Sequence, residues 1–185
     1  MSKLTSLPDH LPVPLDDGAA DHLAGMAVPT IALLATSGEM VDLAGLKSWT
    51  VLYVYPMTGH PDRPLPEGWD TIPGARGCTP QSCAFRDHFA ELQALGARVF
   101  GISTQSTNYQ REAKERLHLP FELLSDSDLL LKSALSLPTF SVTGSELYRR
   151  LTMIVVDGRI KHVFYPVFPP DRNADEVINW MHNQH

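Results

Sequence analysis

The sequence predicts one α/β domain with a mixed central sheet, helices on both faces and an N-terminal β-hairpin. Three observations predict it. Short apolar runs rich in β-formers alternate with segments of helical period, which is the pattern of βαβ units. Antiparallel pairs stand at both ends of that alternation. The chain has 185 residues, enough for one well-buried core and too few for two.

Residues 1–25, rich in Pro, Asp, Gly and Ala and without a clear period, read as an N-terminal arm packing along the domain 26–185. Thr30-Ile31-Ala32-Leu33-Leu34, the turn Thr36-Ser37-Gly38-Glu39 and Met40-Val41-Asp42-Leu43 make a small hairpin. Val51-Leu52-Tyr53-Val54-Tyr55 is continuously apolar, as a central strand covered on both faces must be, and it stops at Pro56. A long loop over 57–77 follows, with Pro61, Pro64, Pro66, Pro73 and four glycines; loops of this length are often functional.

Phe85, Phe89 and Leu92 then set a helical period that ends at Leu95-Gly96. Arg98-Val99-Phe100-Gly101-Ile102-Ser103 is a second buried strand. A helix over 108–117, a strand at Phe121-Glu122-Leu123-Leu124 and a short helix over 128–135 come next. Strands 151–156 and 159–164 flank Asp157-Gly158, a dipeptide suited to a type I′ turn, and a last helix covers 175–182.

Composition excludes several classes of function. At 43% apolar and 19% charged the chain is ordinary globular protein and not a disordered one. Its net charge of −6, with 15 scattered Lys and Arg, argues against a nucleic-acid surface. No apolar run is long enough to span a bilayer. The start lacks the apolar centre and small-residue cleavage site of a secretory signal, which makes the cytoplasm the expected location.

Only two cysteines are present, and a purely structural bridge over so short a loop contributes little in a reducing compartment. Cys78 falls where the loop enters a helix, with Pro80 placed in the first turn, where a missing N–H costs nothing. Free N–H groups and the helix dipole at that end favour a thiolate, the species that attacks a peroxide O–O bond and emerges as a sulfenic acid. A second thiol nearby can condense with it. Five residues along an intact helix separate Cα atoms by roughly 8–9 Å. A disulfide tolerates no more than about 7 Å, so a Cys78–Cys83 bridge requires the first helical turn to unwind.

The segment Gly77-Cys78-Thr79-Pro80-Gln81-Ser82-Cys83-Ala84-Phe85-Arg86-Asp87 resembles the active-site signature of the peroxiredoxins, in particular their Q-type (bacterioferritin-comigratory) branch. The resemblance extends over most of the chain. It includes Tyr53-Val54-Tyr55-Pro56, Phe100-Gly101-Ile102-Ser103-Thr104, Pro120-Phe121-Glu122-Leu123-Leu124-Ser125-Asp126 and Arg150-Leu151-Thr152-Met153-Ile154.

It implies a thioredoxin-like fold and reduction of hydrogen peroxide or organic hydroperoxides without a cofactor. The resulting disulfide would be re-reduced by thioredoxin or a similar dithiol. By position, Cys78 is the peroxidatic cysteine, Cys83 the resolving one, and Arg150 the cation that holds thiolate and peroxide. The assembly is expected to be a monomer or homodimer.

One departure stands out. The family places a Thr or Ser three residues before the cysteine and a Pro seven before; here those positions hold Ala75 and Thr71. Pro56 lies far upstream, so 57–77 reads as an insertion within the motif, and the missing hydroxyl falls to Thr58 or Thr71, with Thr58 preferred.

Plainer readings stand beside these. Either cysteine can be a small buried hydrophobe, a stronger alternative for Cys83 than for Cys78 with its Gly and Thr neighbours. The eight histidines pair neither with one another nor with the cysteines, which argues against zinc; His60 and His88 read as surface residues. Arg86 and Asp87 read as a helix-face pair, and Trp69 as the anchor of a packed loop with some gating. Two rival functions remain. A disulfide oxidoreductase of thioredoxin fold would carry Cys-x-x-Cys, and a redox sensor without peroxidase competence would suit Ala75 and the inserted loop.

Overall fold

The computed structural model describes residues 6–184. The first five residues of the N-terminal arm and His185 lie outside the described residues.

Strands β1 (Ala32–Ala35) and β2 (Met40–Asp42) form the expected hairpin. Strand β3 (Thr50–Val54) is buried at every position, as its unbroken apolar run requires. It pairs in parallel with β4 (Arg98–Ser103), which pairs in parallel with β5 (Glu122–Ser125). Strands β8 (Leu151–Val156) and β9 (Arg159–Phe164) form the hairpin announced by Asp157-Gly158, both at positive φ of 49° and 71°. β8 runs antiparallel to β3, and β1 antiparallel to β5, giving the seven-stranded order β2-β1-β5-β4-β3-β8-β9.

Helices α1 (Cys78–Asp87), α2 (Phe89–Ala94), α3 (Thr107–Leu117) and α5 (Asn173–His182) sit with one face of this sheet, through Phe85, Leu92, Leu117, Val177 and Met181 against Val51, Tyr53, Val99 and Leu123. Helix α4 (Leu130–Leu135) and the N-terminal segment cover the other, through Leu131, Leu135, Leu23 and Val28 against Leu52, Val54, Phe100 and Leu124. The alternation of inward residues along β3 and β4 assigns each side chain to one of these two cores. The arm does pack along the domain: Leu23 is fully buried, Gly25 N–H donates to Ile160 O at 2.8 Å, and Asp17 holds Arg149 and Tyr165.

Two elements differ from the sequence reading. The single helix expected to run to Leu95-Gly96 is broken at His88 into α1 and α2. There the imidazole Nε2 turns to Asp175 of α5 at 3.1 Å. A further hairpin, β6 (Thr139–Val142) and β7 (Ser145–Tyr148), stands apart as its own two-stranded sheet around the turn Thr143-Gly144. Its four-residue strands are too short and too exposed to carry a clear alternation, and Thr-Gly is a weak turn signal beside Asn-Gly or Asp-Gly.

The extra hairpin explains the long loop. Trp69, in a single 3₁₀ turn, is 3% exposed and lies against Phe140 of β6 with ring centroids 6.1 Å apart. Trp69, Ala75 and Leu147 form a third small core, flanked by Met57, Leu65, Ile72 and Val142. Segment 57–77 is thus a packed structure with its own platform, as expected of a Trp-anchored loop. Among the described residues no helix is long and apolar enough to cross a membrane.

Candidate active site

The site lies where the parallel strands end. β3 stops at Val54, paired with Leu151, so the residues just after β3 and the residue just before β8 meet at the same edge. Those residues are Pro56-Met57-Thr58 and Arg150. Alternation sends Arg149 outward to Asp17 at 3.1 Å and Arg150 inward, where it is 3% exposed.

Helix α1 begins at Cys78, with Gly77 before it at φ 109°. A Cβ on Gly77 would lie 2.3 Å from Pro170 Cγ and 2.9 Å from Leu7 Cδ2, so only glycine fits this entry to the helix. Gly77→Ala should therefore lower stability by at least about 1–3 kcal/mol. A thermal melt should show a fall of several degrees, and an unchanged midpoint would refute the argument.

The second turn of α1 is held from below. Tyr53 of β3 stacks on Phe85 at 4.6 Å and shares a hydrogen bond of 3.0 Å with Ser82 Oγ. Gly101 of β4 makes room for that ring, since a Cβ there would come within 2.6 Å of Tyr53 Cζ.

Cys78 is 3% exposed, and its Sγ touches three polar groups. Arg150 Nη2 donates to it at 3.2 Å, Met57 N–H donates at 3.4 Å, and Ala75 O lies 3.6 Å away as an acceptor for the thiol proton. Two donors and one permanent charge thus converge on a sulfur at a helix N-terminus. These donors are placed to stabilise negative charge that develops at the reacting atoms.

The guanidinium is itself clamped. Nη2 also serves the carbonyls of Gly74, Ala75 and Arg76 at 3.1–3.2 Å, and Nη1 donates to Gln81 Oε1. Gln81 Nε2 donates onward to Asn173 Oδ1 at 3.0 Å, which also accepts from Thr152 Oγ1 at 2.7 Å. All three side chains are fully buried.

The structure brings Cys78 and Arg150 together but not Thr58. Thr58 is fully buried, and its N–H and hydroxyl both donate to Gln105 Oε1, at 3.0 and 3.3 Å. Its carbonyl accepts from Tyr109 OH at 2.9 Å. The hydroxyl of Thr58 is thus committed to Gln105, and the donor beside it that reaches the sulfur is the N–H of Met57. Thr71 does not supply the hydroxyl either, because its Oγ1 caps Gly68 O at 2.6 Å. Met57 was not legible as a site residue, since a backbone donor has no side-chain signature. Gln81 was missed as well, although its spacing was a usable signal: three residues after Cys78 it shares that face of the helix.

Cys83 is half-buried on the intact α1, and both cysteines are free thiols. Burial pushes its thiol up, Arg86 and Arg116 pull it down, and Asp87 adds to the rise. A raised value means that Cys83 stays protonated near neutral pH while the helix is intact. In a Cys78→Ser variant, iodoacetamide should alkylate Cys83 slowly at neutral pH, with a midpoint above the usual thiol value of about 8.5. Unfolding in urea should bring the midpoint back; a folded midpoint at or below the usual value would contradict this.

His60 and His88 stay outside the site. His60 accepts from Asp62 N–H and faces Tyr109, and His88 engages Glu91 and Asp175. Arg86 pairs with Asp87 at 2.8 Å and donates to Leu117 O, fastening α1 to the end of α3.

A thioredoxin-like sheet that presents a cysteine at a helix N-terminus, backed by an arginine just before the neighbouring strand, defines a thiol-based redox protein. Residues 23–178 match the Redoxin family. Peroxiredoxin Bcp of Escherichia coli strain K12 is 32% identical over 168 residues, covering 85% of this chain and 94% of that protein. The chloroplastic peroxiredoxin Q of Oryza sativa subsp. japonica is 28% identical over 155 residues, and the match spans 83% of this chain but 64% of that longer relative. Among solved structures, peroxidoxin BcpB of Mycobacterium tuberculosis superimposes with a TM-score of 0.72 at 23% identity, covering 89% of this chain and 99% of that one. The chain belongs to the redoxin family, and within it to the Q-type, or Bcp, peroxiredoxins.

Proposed function

We propose that the protein is a thiol-dependent peroxidase that reduces hydroperoxides by way of Cys78. The observation that carries this reading is the convergence of Arg150 Nη2 and Met57 N–H on Cys78 Sγ, at 3.2 and 3.4 Å. In the first step the thiolate attacks the terminal peroxide oxygen. An S–O bond forms, the O–O bond breaks, and the leaving oxygen takes a proton to depart as water or an alcohol. Arg150 and Met57 N–H stabilise negative charge as it moves from sulfur to oxygen. Thr58 contributes by position, fixing the turn that aims the Met57 amide.

In the second step Cys83 attacks the sulfenic sulfur, an S–S bond forms and water leaves. The two thiols share one intact helix, so this step follows unwinding of the first turn of α1. Thioredoxin or a similar dithiol then returns two electrons. No nucleic acid, membrane or cofactor enters the cycle, and the protein works as a monomer or homodimer in the cytoplasm, where its thiols are kept reduced. The names of the Escherichia coli and rice relatives support this assignment.

The test is a single turnover. Reduced protein mixed with one equivalent of hydrogen peroxide should lose two thiols much faster than free cysteine does, with a change in tryptophan fluorescence as α1 rearranges. Loss at the free-cysteine rate would favour the sensor reading. Reaction with protein disulfides alone would favour the oxidoreductase.

A further inference from the structure

We propose that segment 57–77 is a size filter that admits hydrogen peroxide to Cys78 and holds back hydroperoxides with bulky substituents. The inference rests on the peroxidase reading and names its substrate class. The cavity that touches Cys78 has a volume of about 10 Å³, room for about one water-sized molecule. Its walls come from Met57, Leu65, Trp69, Arg76 and Gly77 of the long loop and from Thr79 of α1, so the long loop supplies the roof. Hydrogen peroxide is little larger than water and needs only a small adjustment there. An aryl or branched alkyl group does not fit inside it.

The roof is braced. Trp69 is buried against Phe140 and Leu147 on the β6–β7 hairpin, and Arg76 is held by Asp70 at 2.9 Å. Lifting Trp69 from its seat to admit a large substrate would give up this buried packing, so the loop resists it. A roomier cleft of about 390 Å³ lies nearby, between the start of α3 and the hairpin, but Cys78 is not in its wall. Met57 lines both spaces, so a substrate tail lodged in the cleft would have to pass Met57 to bring its peroxide group to the sulfur.

The experiment compares second-order rates of Cys78 oxidation by hydrogen peroxide and by cumene hydroperoxide, in the native protein and in Leu65→Ala. Leu65 is chosen because it lines the cavity and is only half-buried, and a thermal melt checks that the variant is folded. Trp69→Phe serves as a second variant should Leu65→Ala melt early. The native protein should favour hydrogen peroxide by at least about tenfold, the scale on which a pocket discriminates by size. Trimming the roof should narrow that ratio severalfold through a faster reaction with cumene hydroperoxide. Equal fast rates in the native protein, or a ratio unmoved in both variants, would overturn the filter and leave the peroxidase intact. If neither compound reacts faster with the protein than with free cysteine, the peroxidase reading falls and the filter with it.

Discussion

Replacing Cys78 by serine should abolish peroxide consumption, reducing it to the uncatalysed background, while the fold remains. Serine is close in size to cysteine, and the groups around Sγ are hydrogen-bonding partners that a hydroxyl can also use: two donors, from Arg150 and Met57, and one acceptor, Ala75 O. The substitution therefore removes the nucleophile without opening a cavity, and Arg150 keeps its bonds to Gln81 and the carbonyls of Gly74, Ala75 and Arg76. Cys83→Ser should behave differently. It leaves the first oxidation at its native rate and stops the cycle before disulfide formation. The pair of variants, followed by peroxide loss and thermal melting, separates nucleophile from resolver. Equal residual activity in both would contradict the assignment.

The second large effect is expected at Arg150. Its guanidinium gathers a thiol, three loop carbonyls and Gln81 into one buried cluster. Lysine keeps the charge but cannot reproduce the planar fork. Arg150→Lys should slow oxidation of Cys78 by about 10²-fold or more, the loss seen when one preorganised donor to a developing charge is removed. Arg150→Met should be slower still and less stable by about 3 kcal/mol or more, because it strands buried acceptors whose partner has gone. Stopped-flow oxidation and denaturant unfolding check the two parts separately. A lysine variant at the native rate would show that charge alone suffices and that the clamp on 74–76 is not part of catalysis.

Much of this was legible in the residues. The unbroken apolar run of β3 and the Asp157-Gly158 turn place the sheet centre and its antiparallel edge, because burial on both faces and a primed turn each leave a local mark. Cys78 was legible because a Gly-Cys-Thr-Pro helix entry is a poor place for a purely structural thiol. Arg150 was legible through the family resemblance, and its alternation with Arg149 explains why one is buried and the other paired on the surface.

What escaped reading depends on contacts distant in sequence. The β6–β7 hairpin has its reason in Trp69, some seventy residues earlier, since Phe140 and Leu147 pack on the loop and not on the main sheet. The hydroxyl assigned to Thr58 went to Gln105, and a main-chain N–H took its place at the sulfur. Backbone donors are present at nearly every residue, so which one is aimed at a site is decided by the fold alone.

The most direct measurement is made on Cys83→Ser, treated with one equivalent of hydrogen peroxide and a carbon-acid reagent that captures sulfenic acids. Peptide mass spectrometry should find the adduct on the peptide carrying Cys78, formed within the time of the fast reaction, and an Arg150→Lys second substitution should slow its appearance. An unmodified Cys78, or an adduct that forms no faster than on free cysteine, would contradict a sulfur poised between Arg150 and the Met57 amide.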